Sequence, residues 1–347
     1  MAASLSIDVH THYFGTDMAQ LREGAQGPRL VVDTPAAGRL MRGTSLFREV
    51  RSELWDVDRR LDEMDRAGVT HQVISPVPVA MEHASTAPDG ARYARDVNDS
   101  VAAACARSGG RLLGLGCLPS PGSRAAAVEL ERCRALGLYG VEIGTSVAGL
   151  DLDSPQLRSF WRECEATDSC VFVHPVAGGS GAVRRSGGIY DLGIGMTTDT
   201  ALAAAALVFG GVLAAHPRLR IALAHGGGTF AAAFPRLEVA AGLAAGPDAP
   251  DHADLARLLY VDSLVFDDGL YPLLARRFGT RRLLLGSDAP FFPDQMRRSV
   301  LSVRSAVTGG LLPAAAVPAV LAENALSFLG LATAPGRASP EPESLAP

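Results

Sequence analysis

The chain contains no lysine: every basic residue among its 32 Lys+Arg is arginine. No Schiff base can therefore form on a side chain, and no carboxylated lysine can bridge two metal ions. The cysteines number five, an odd count, and no CxxC pair occurs. That speaks against a zinc ribbon, a redox dithiol or a disulfide framework, and leaves buried free thiols as the expectation. No apolar run reads as long enough to span a bilayer, and the chain lacks a charged-then-apolar leader. The net charge of -5, without a basic cluster, argues against a dedicated nucleic-acid surface. No GxGxxG follows a strand, so dinucleotide binding has nothing to rest on. The default reading is a soluble cytoplasmic protein with no membrane or nucleic-acid partner.

What is present is apolar. Hydrophobic residues make up 48% of the 347, enough for a sizeable core. Short runs of Val, Ile and Leu alternate with helical spacing along the chain. Strands are expected near 7–12, 70–75, 111–118, 140–143, 170–174, 219–224, 258–262 and 283–286. Helices are expected over 56–67, 91–107, 123–136, 155–167, 198–214, 234–243, 268–278 and 314–329. Asp56 and Gly68 supply the cap residues of the first helix. Eight strands, uniform rather than alternating, and eight helices predict a parallel sheet covered on both faces, a (β/α)8 TIM-type barrel. An open doubly wound sheet is the alternative. Residues 13–55 read as a long irregular insertion after the first strand, lid-like and carrying Arg48. One barrel domain is expected over 1–332, with a disordered tail over 333–347.

The run Ile7-Asp8-Val9-His10-Thr11-His12 places two histidines on one face of a strand. Packed core histidines and a metal-binding dyad fit this run about equally. The balance shifts because His174, His225 and Asp288 also fall at strand ends, which in a barrel converge on one mouth. Three imidazoles and a carboxylate suit Zn2+ or a similar divalent ion, with one position open for water or substrate. A further histidine can shuttle the proton. The other histidines read more plainly: His71 as core, His83 and His252 as solvated, His216 at a helix end. Asp262, closing the seventh strand, reads as support for a ligand or a cap.

Asp8-Val9-His10-Thr11-His12, Val173-His174-Pro175, His225-Gly226-Gly227-Gly228 and Gly286-Ser287-Asp288-Ala289-Pro290 resemble the amidohydrolase superfamily. Further runs make the chain similar to the 2-amino-3-carboxymuconate 6-semialdehyde decarboxylases. These include Phe47-Arg48-Glu49-Val50-Arg51, Gly140-Val141-Glu142-Ile143-Gly144-Thr145 and Asn324-Ala325-Leu326-Ser327-Phe328-Leu329. The likeness extends from Ile7 to Leu331. It implies one zinc ion held by His10, His12, His174 and Asp288, with His225 as acid/base on the metal-bound water. It also implies Arg48 and Arg236 on the substrate carboxylates, Arg236 reaching the site of a neighbouring subunit in a homodimer. The implied activity is non-oxidative decarboxylation of a small unsaturated or aromatic acid, the semialdehyde itself or a close analogue. The rivals are a hydrolase of the same superfamily opening a lactone or amide, and a non-catalytic barrel. The segment after His174-Pro175 departs from the family's aromatic pocket, with Leu192 aligned to a pocket tryptophan.

Overall fold

The computed structural model describes residues 4–16, 27–81, 87–176, 183–245 and 250–335. Strands are β1 (Ile7–Tyr13), β2 (Pro28–Val32), β3 (Ala37–Arg42), β4 (Ser45–Arg51), β5 (His71–Pro76), β6 (Leu112–Gly116), β7 (Gly140–Gly144), β8 (Cys170–His174), β9 (Ile221–Leu223), β10 (Tyr260–Asp262) and β11 (Leu283–Leu284). Helices are α1 (Val57–Ala67), α2 (Ala87–Arg107), α3 (Arg124–Ala135), α4 (Arg158–Ala166), α5 (Met196–Phe209), α6 (Val212–Ala215), α7 (Phe230–Ala245), α8 (His252–Ala256), α9 (Tyr271–Phe278) and α10 (Gln295–Thr308). A last helical stretch runs over Ala316–Leu329.

Eight strands lie parallel in the order β1-β5-β6-β7-β8-β9-β10-β11. The ring closes because Val9 donates its backbone N–H to Leu285 and Asp288 donates to His10. This is the expected TIM-type barrel. Its interior is filled by Ile7, Val9, Val73, Leu113, Leu115, Phe172, Ala222 and Leu284. Ala325, Phe328 and Leu329 of the last helix join that cluster and stop the end where the strands begin. The opposite, C-terminal end stays polar, where barrel sites form. Asp56 caps α1 by accepting from the N–H groups of Asp58 and Arg59, and Gly68 ends it at φ 73°.

Three expectations need correction. The insertion is not irregular: β2, β3 and β4 form an antiparallel sheet, with Gly43 at φ 58° turning β3 into β4. The helix that follows β11 is α10, not the last stretch. Its buried face mixes Gln295 and Ser299 with Met296, Val300 and Val303, which dilutes the apolar period. One stretch, Asp191–Phe209, is long and apolar enough to cross a membrane by length and composition. Its Ala203, Ala204, Leu207 and Val208 are packed into the core. The expected tail lies almost wholly outside the described residues.

Candidate metal centre and active site

The first strand departs from simple alternation. Its pairing with β5 shifts register between Asp8 and Thr11. The extra residue lets Ile7 and Val9 face the barrel interior while His10 and His12 also turn inward. Thr11 faces outward, its hydroxyl donating to the Val73 carbonyl. Behind the strand, the buried Arg60 guanidinium donates to the carbonyl of His12 and to Gln72 Oε1. Gln72 and Ser287 in turn donate to Asp8. This chain of polar contacts ties the histidine strand to the segment that carries Asp288. Burial pushes the Asp8 carboxyl up to about 6, against the pull of Ser287, His10 and Gln72.

His10, His12, His174 and Asp288 offer ligand atoms that all lie within 4.8 Å of one another, and all four residues are buried. Asp288 Oδ1 is 3.1 Å from His12 Nε2 and 3.6 Å from His10 Nε2. The Nε2 atoms of His10, His12 and His174, and Asp288 Oδ1, are buried without a hydrogen-bond partner. Four orphaned donor or acceptor atoms converging on one point fit a divalent cation, which would satisfy them together. The other ring nitrogens of His10 and His174 are anchored. His10 Nδ1 donates to Asp262 Oδ2 at 2.6 Å, and His174 Nδ1 to the Pro175 carbonyl at 2.8 Å. His12 Nδ1 lies 3.9 Å from Glu142 Oε2. The carboxylate on His10 and the carbonyl on His174 orient those two rings with Nε2 inward, while His12 Nδ1 makes no hydrogen bond.

Asp262 does more than support one ligand. Its Oδ2 also accepts the backbone N–H of His225, and its Oδ1 accepts those of Gly226 and Leu264. Ala224 faces the barrel interior, so a continued strand would point His225 out. Instead His225 adopts φ 55°, and its ring sits 5.1 Å from His174 and 5.3 Å from His10. A left-handed non-glycine costs about 1–3 kcal/mol and persists only when its surroundings hold it; the Asp262 carboxylate is that hold.

The electrostatics separate the groups. Burial and the neighbouring His10 charge push His225 down to about 4, so its imidazole is neutral near pH 7. Burial, with His10 and His12, drives His174 well below the usual range. Burial opposes charge on Asp288, yet His10 and His12 outweigh it and hold the carboxyl at about 2. His10 runs the other way: burial opposes its charge, but the hydrogen bond to Asp262 and the Asp288 and Asp262 carboxylates outweigh it and raise the imidazole to about 9, so His10 gives up a proton when its Nε2 takes an ion.

Arg48, on β4, is half-buried, with its guanidinium 4.5 Å from the centre of the Phe291 ring and 5.7 Å from that of Phe292. Phe291 lies 5.5 Å from the His12 ring, so Arg48 stands at the mouth. Arg236 is exposed on α7 and is not gathered into the centre of its own chain. A cavity of about 610 Å³ opens beside His225, lined by Leu192, Leu264, Val265, Phe266, Leu273 and Phe292 among others.

The comparisons with known proteins agree with this geometry. A family model described as Amidohydrolase matches residues 7–331. The 2-amino-3-carboxymuconate-6-semialdehyde decarboxylase of Dictyostelium discoideum is 33% identical over 343 residues, covering 94% of this chain and 92% of that one. The chain belongs to the amidohydrolase family, in its decarboxylase branch. Among solved structures, Metarhizium anisopliae IDCase in apo form superposes with a TM-score of 0.80 at 24% identity, over 95% of this chain and 98% of that one. A dihydroxybenzoic acid decarboxylase from Polaromonas sp. JS666, with bound manganese and the inhibitor 2-nitroresorcinol, gives 0.71 at 21%, over 94% and 97%. Both share the barrel.

For this metal-dependent decarboxylase the sequence reading missed Glu142. Burial holds its carboxyl above the ordinary range, against the pull of His12 and Ser75. The available signal was a carboxylate inside the otherwise apolar run Gly140–Gly144. His252 also needs correction. It starts α8 half-buried and stacks on Phe209 at 4.3 Å rather than lying in solvent. His71 is a packed residue between Thr70 and Pro335, and His216 follows α6 beside Glu165. All five cysteines are free thiols. His83 lies outside the described residues.

Proposed function

We propose that this amidohydrolase is a zinc-dependent, non-oxidative decarboxylase of a small unsaturated or aromatic carboxylic acid, 2-amino-3-carboxymuconate 6-semialdehyde or a close analogue. The observation that carries the reading is the convergence of four orphaned ligand atoms beside a neutral histidine that itself binds nothing through Nδ1. His10, His12, His174 and Asp288 hold the ion. When bound, such an ion supplies Lewis acidity, polarising substrate oxygens and acidifying water. Arg48 grips a substrate carboxylate with its planar fork. His225, neutral at working pH, moves a proton through its ring to the carbon that bears the departing carboxylate. That carbon becomes tetrahedral, the C–CO2 bond aligns with the adjacent unsaturation, and its electron pair restores conjugation as carbon dioxide leaves.

Arg236 is the second proposed carboxylate group, supplied to a neighbour's site within a homodimer. Its exposure on α7 supports this role. The sheet β2–β4 is proposed as the lid, supported by the position of Arg48 over Phe291. Five unpaired thiols support a reducing, cytoplasmic compartment.

The test is His225→Asn. We expect the variant to keep its metal content and to release carbon dioxide about 10²–10⁴-fold more slowly. Undiminished turnover with intact metal would remove His225 from the chemistry. A new carboxylate without carbon dioxide, from a lactone or amide, would favour the hydrolase instead.

A further inference from the structure

The metal centre has two compartments beside it, divided by Phe291 and Phe292. On one side, a cavity of about 500 Å³ under the β2–β4 sheet is lined by Asp33, Arg39, Glu49 and Arg51 together with Phe291. Arg39 pairs with Asp33 at 2.7 Å, and Arg51 lies 3.5 Å from Glu53. On the other side lies the cavity of about 610 Å³ that includes His225. No Arg, Asp or Glu lines it among the described residues. Its hydroxyl groups are Thr197 and Thr229, and Thr197 already donates to the carbonyls of Gly193 and Ile194. A substrate whose reacting carbon sits at His225, with its carboxylate toward the ion and Arg48, directs the rest of its skeleton into this apolar space.

We propose that the cavity beside His225 receives an apolar extension of the substrate, so that the preferred acid is an aromatic or unsaturated acid bearing an alkyl or aryl group rather than a second carboxylate. The proposal rests on the decarboxylase reading and takes its close-analogue form: it sets aside the semialdehyde, which carries two carboxylates, and leaves Arg48 and a neighbour's Arg236 to share the one that departs. The volume equals about twenty waters, well beyond one unsubstituted ring. Water held against Leu264, Val265 and Leu273 finds few polar partners, and its displacement by carbon is favourable. A second carboxylate placed there would lose its hydration without gaining a donor from its own chain. Leu192 stands on the rim, 46% exposed, where a change of polarity is tolerated by the fold.

The experiment is a panel of ortho-hydroxybenzoic and ortho-aminobenzoic acids. The ring position farthest from the carboxylate carries hydrogen, methyl, propyl, phenyl or carboxylate. The readouts are kcat/KM for carbon dioxide release and, by calorimetry, the Kd of the matching compounds with nitro in place of the departing carboxylate. We expect about a fourfold gain per methylene until the cavity is full, and roughly a hundredfold loss for the second carboxylate. Leu192→Arg should raise the dicarboxylate about tenfold and weaken the propyl acid. A flat series overturns the proposal. So does a preference for the dicarboxylate that Arg236→Gln abolishes, because a second copy's arginine would then serve the cavity. So too does an absent gradient with sedimentation altered in Leu192→Arg, which would make the cavity a subunit contact. If no acid loses carbon dioxide while the nitro compounds still show the gradient, the decarboxylase reading fails and the cavity assignment stands.

Discussion

Replacing Asp262 by Asn should weaken metal binding without removing a single ligand. The carboxylate accepts four hydrogen bonds, two at each oxygen: His10 Nδ1 and the His225 N–H at Oδ2, and the N–H groups of Gly226 and Leu264 at Oδ1. An amide has one accepting edge, so one pair of donors must face NH2. If the edge toward His10 turns donor, the imidazole must shift its proton to Nε2, the atom that faces the ion. If the other edge turns donor, Gly226 and Leu264 lose their acceptor and the turn holding His225 loosens. A buried donor left unpaired costs about 1–3 kcal/mol. Losing the partner of a ligating histidine typically costs about 10–100-fold in metal affinity, or about 1.4–2.8 kcal/mol. Calorimetric titration of the apoprotein with Zn2+ and Mn2+ reads the affinity, and urea unfolding in chelator reads the cost of the unpaired donor. Glu142→Gln should cost less, since the carboxylate is 3.9 Å from His12 Nδ1 and makes a longer contact. An Asp262→Asn protein that binds both metals as tightly as the parent and also unfolds at the parent's urea concentration would refute the role given to this carboxylate.

Arg48→Gln should lower kcat/KM by about 10–150-fold, the worth of a charged hydrogen bond, while metal content stays constant; steady-state kinetics with metal analysis checks this. Asp8 is raised from 3.8 to about 6 by burial, so stability is fully present below 3.8 and is lost as pH rises through about 6. Asp8→Asn should therefore gain on the parent with rising pH and level off above about 6, at up to about 3 kcal/mol, in unfolding curves that run from below the unfolded value of 3.8 to above about 6. Gly228 sits at φ 60°, and an added Cβ would lie 2.0 Å from the Thr197 carbonyl oxygen. Gly228→Ala should displace the His225 turn, costing at least about 1–3 kcal/mol in backbone strain alone and most of the activity. Retained thermal stability and turnover would show that this turn tolerates rearrangement.

The barrel and the ligand quartet were legible because their signals are local. A parallel strand buried on both faces reads as an aliphatic run, and a histidine at its end stands out against it. Asp262 was legible for the same reason, as a carboxylate closing such a run. The sheet β2–β4 was harder to see, because Leu46 and Phe47 are exposed and the strands lack a clean alternation. Gly43-Thr44, set between Leu40-Met41 and Leu46-Phe47, was the turn signal that could have found it. Glu142 was obscured because its meaning depends on His12, 130 positions away in the chain. The shift of register in β1 has no sequence mark, since Ile7, Val9, His10 and His12 fit a plain strand equally well at either end.

That shift separates two tasks within seven consecutive residues. Ahead of it, side chains are staves that seal the cylinder; behind it, they are a chelator. Because the phase changes between them, an aliphatic exchange at Ile7 or Val9 alters only how firmly the cylinder is sealed, and a change of donor at His10 or His12 alters only the grip. The two properties can drift independently, so a lineage could retune heat tolerance or swap its preferred ion without renegotiating the other.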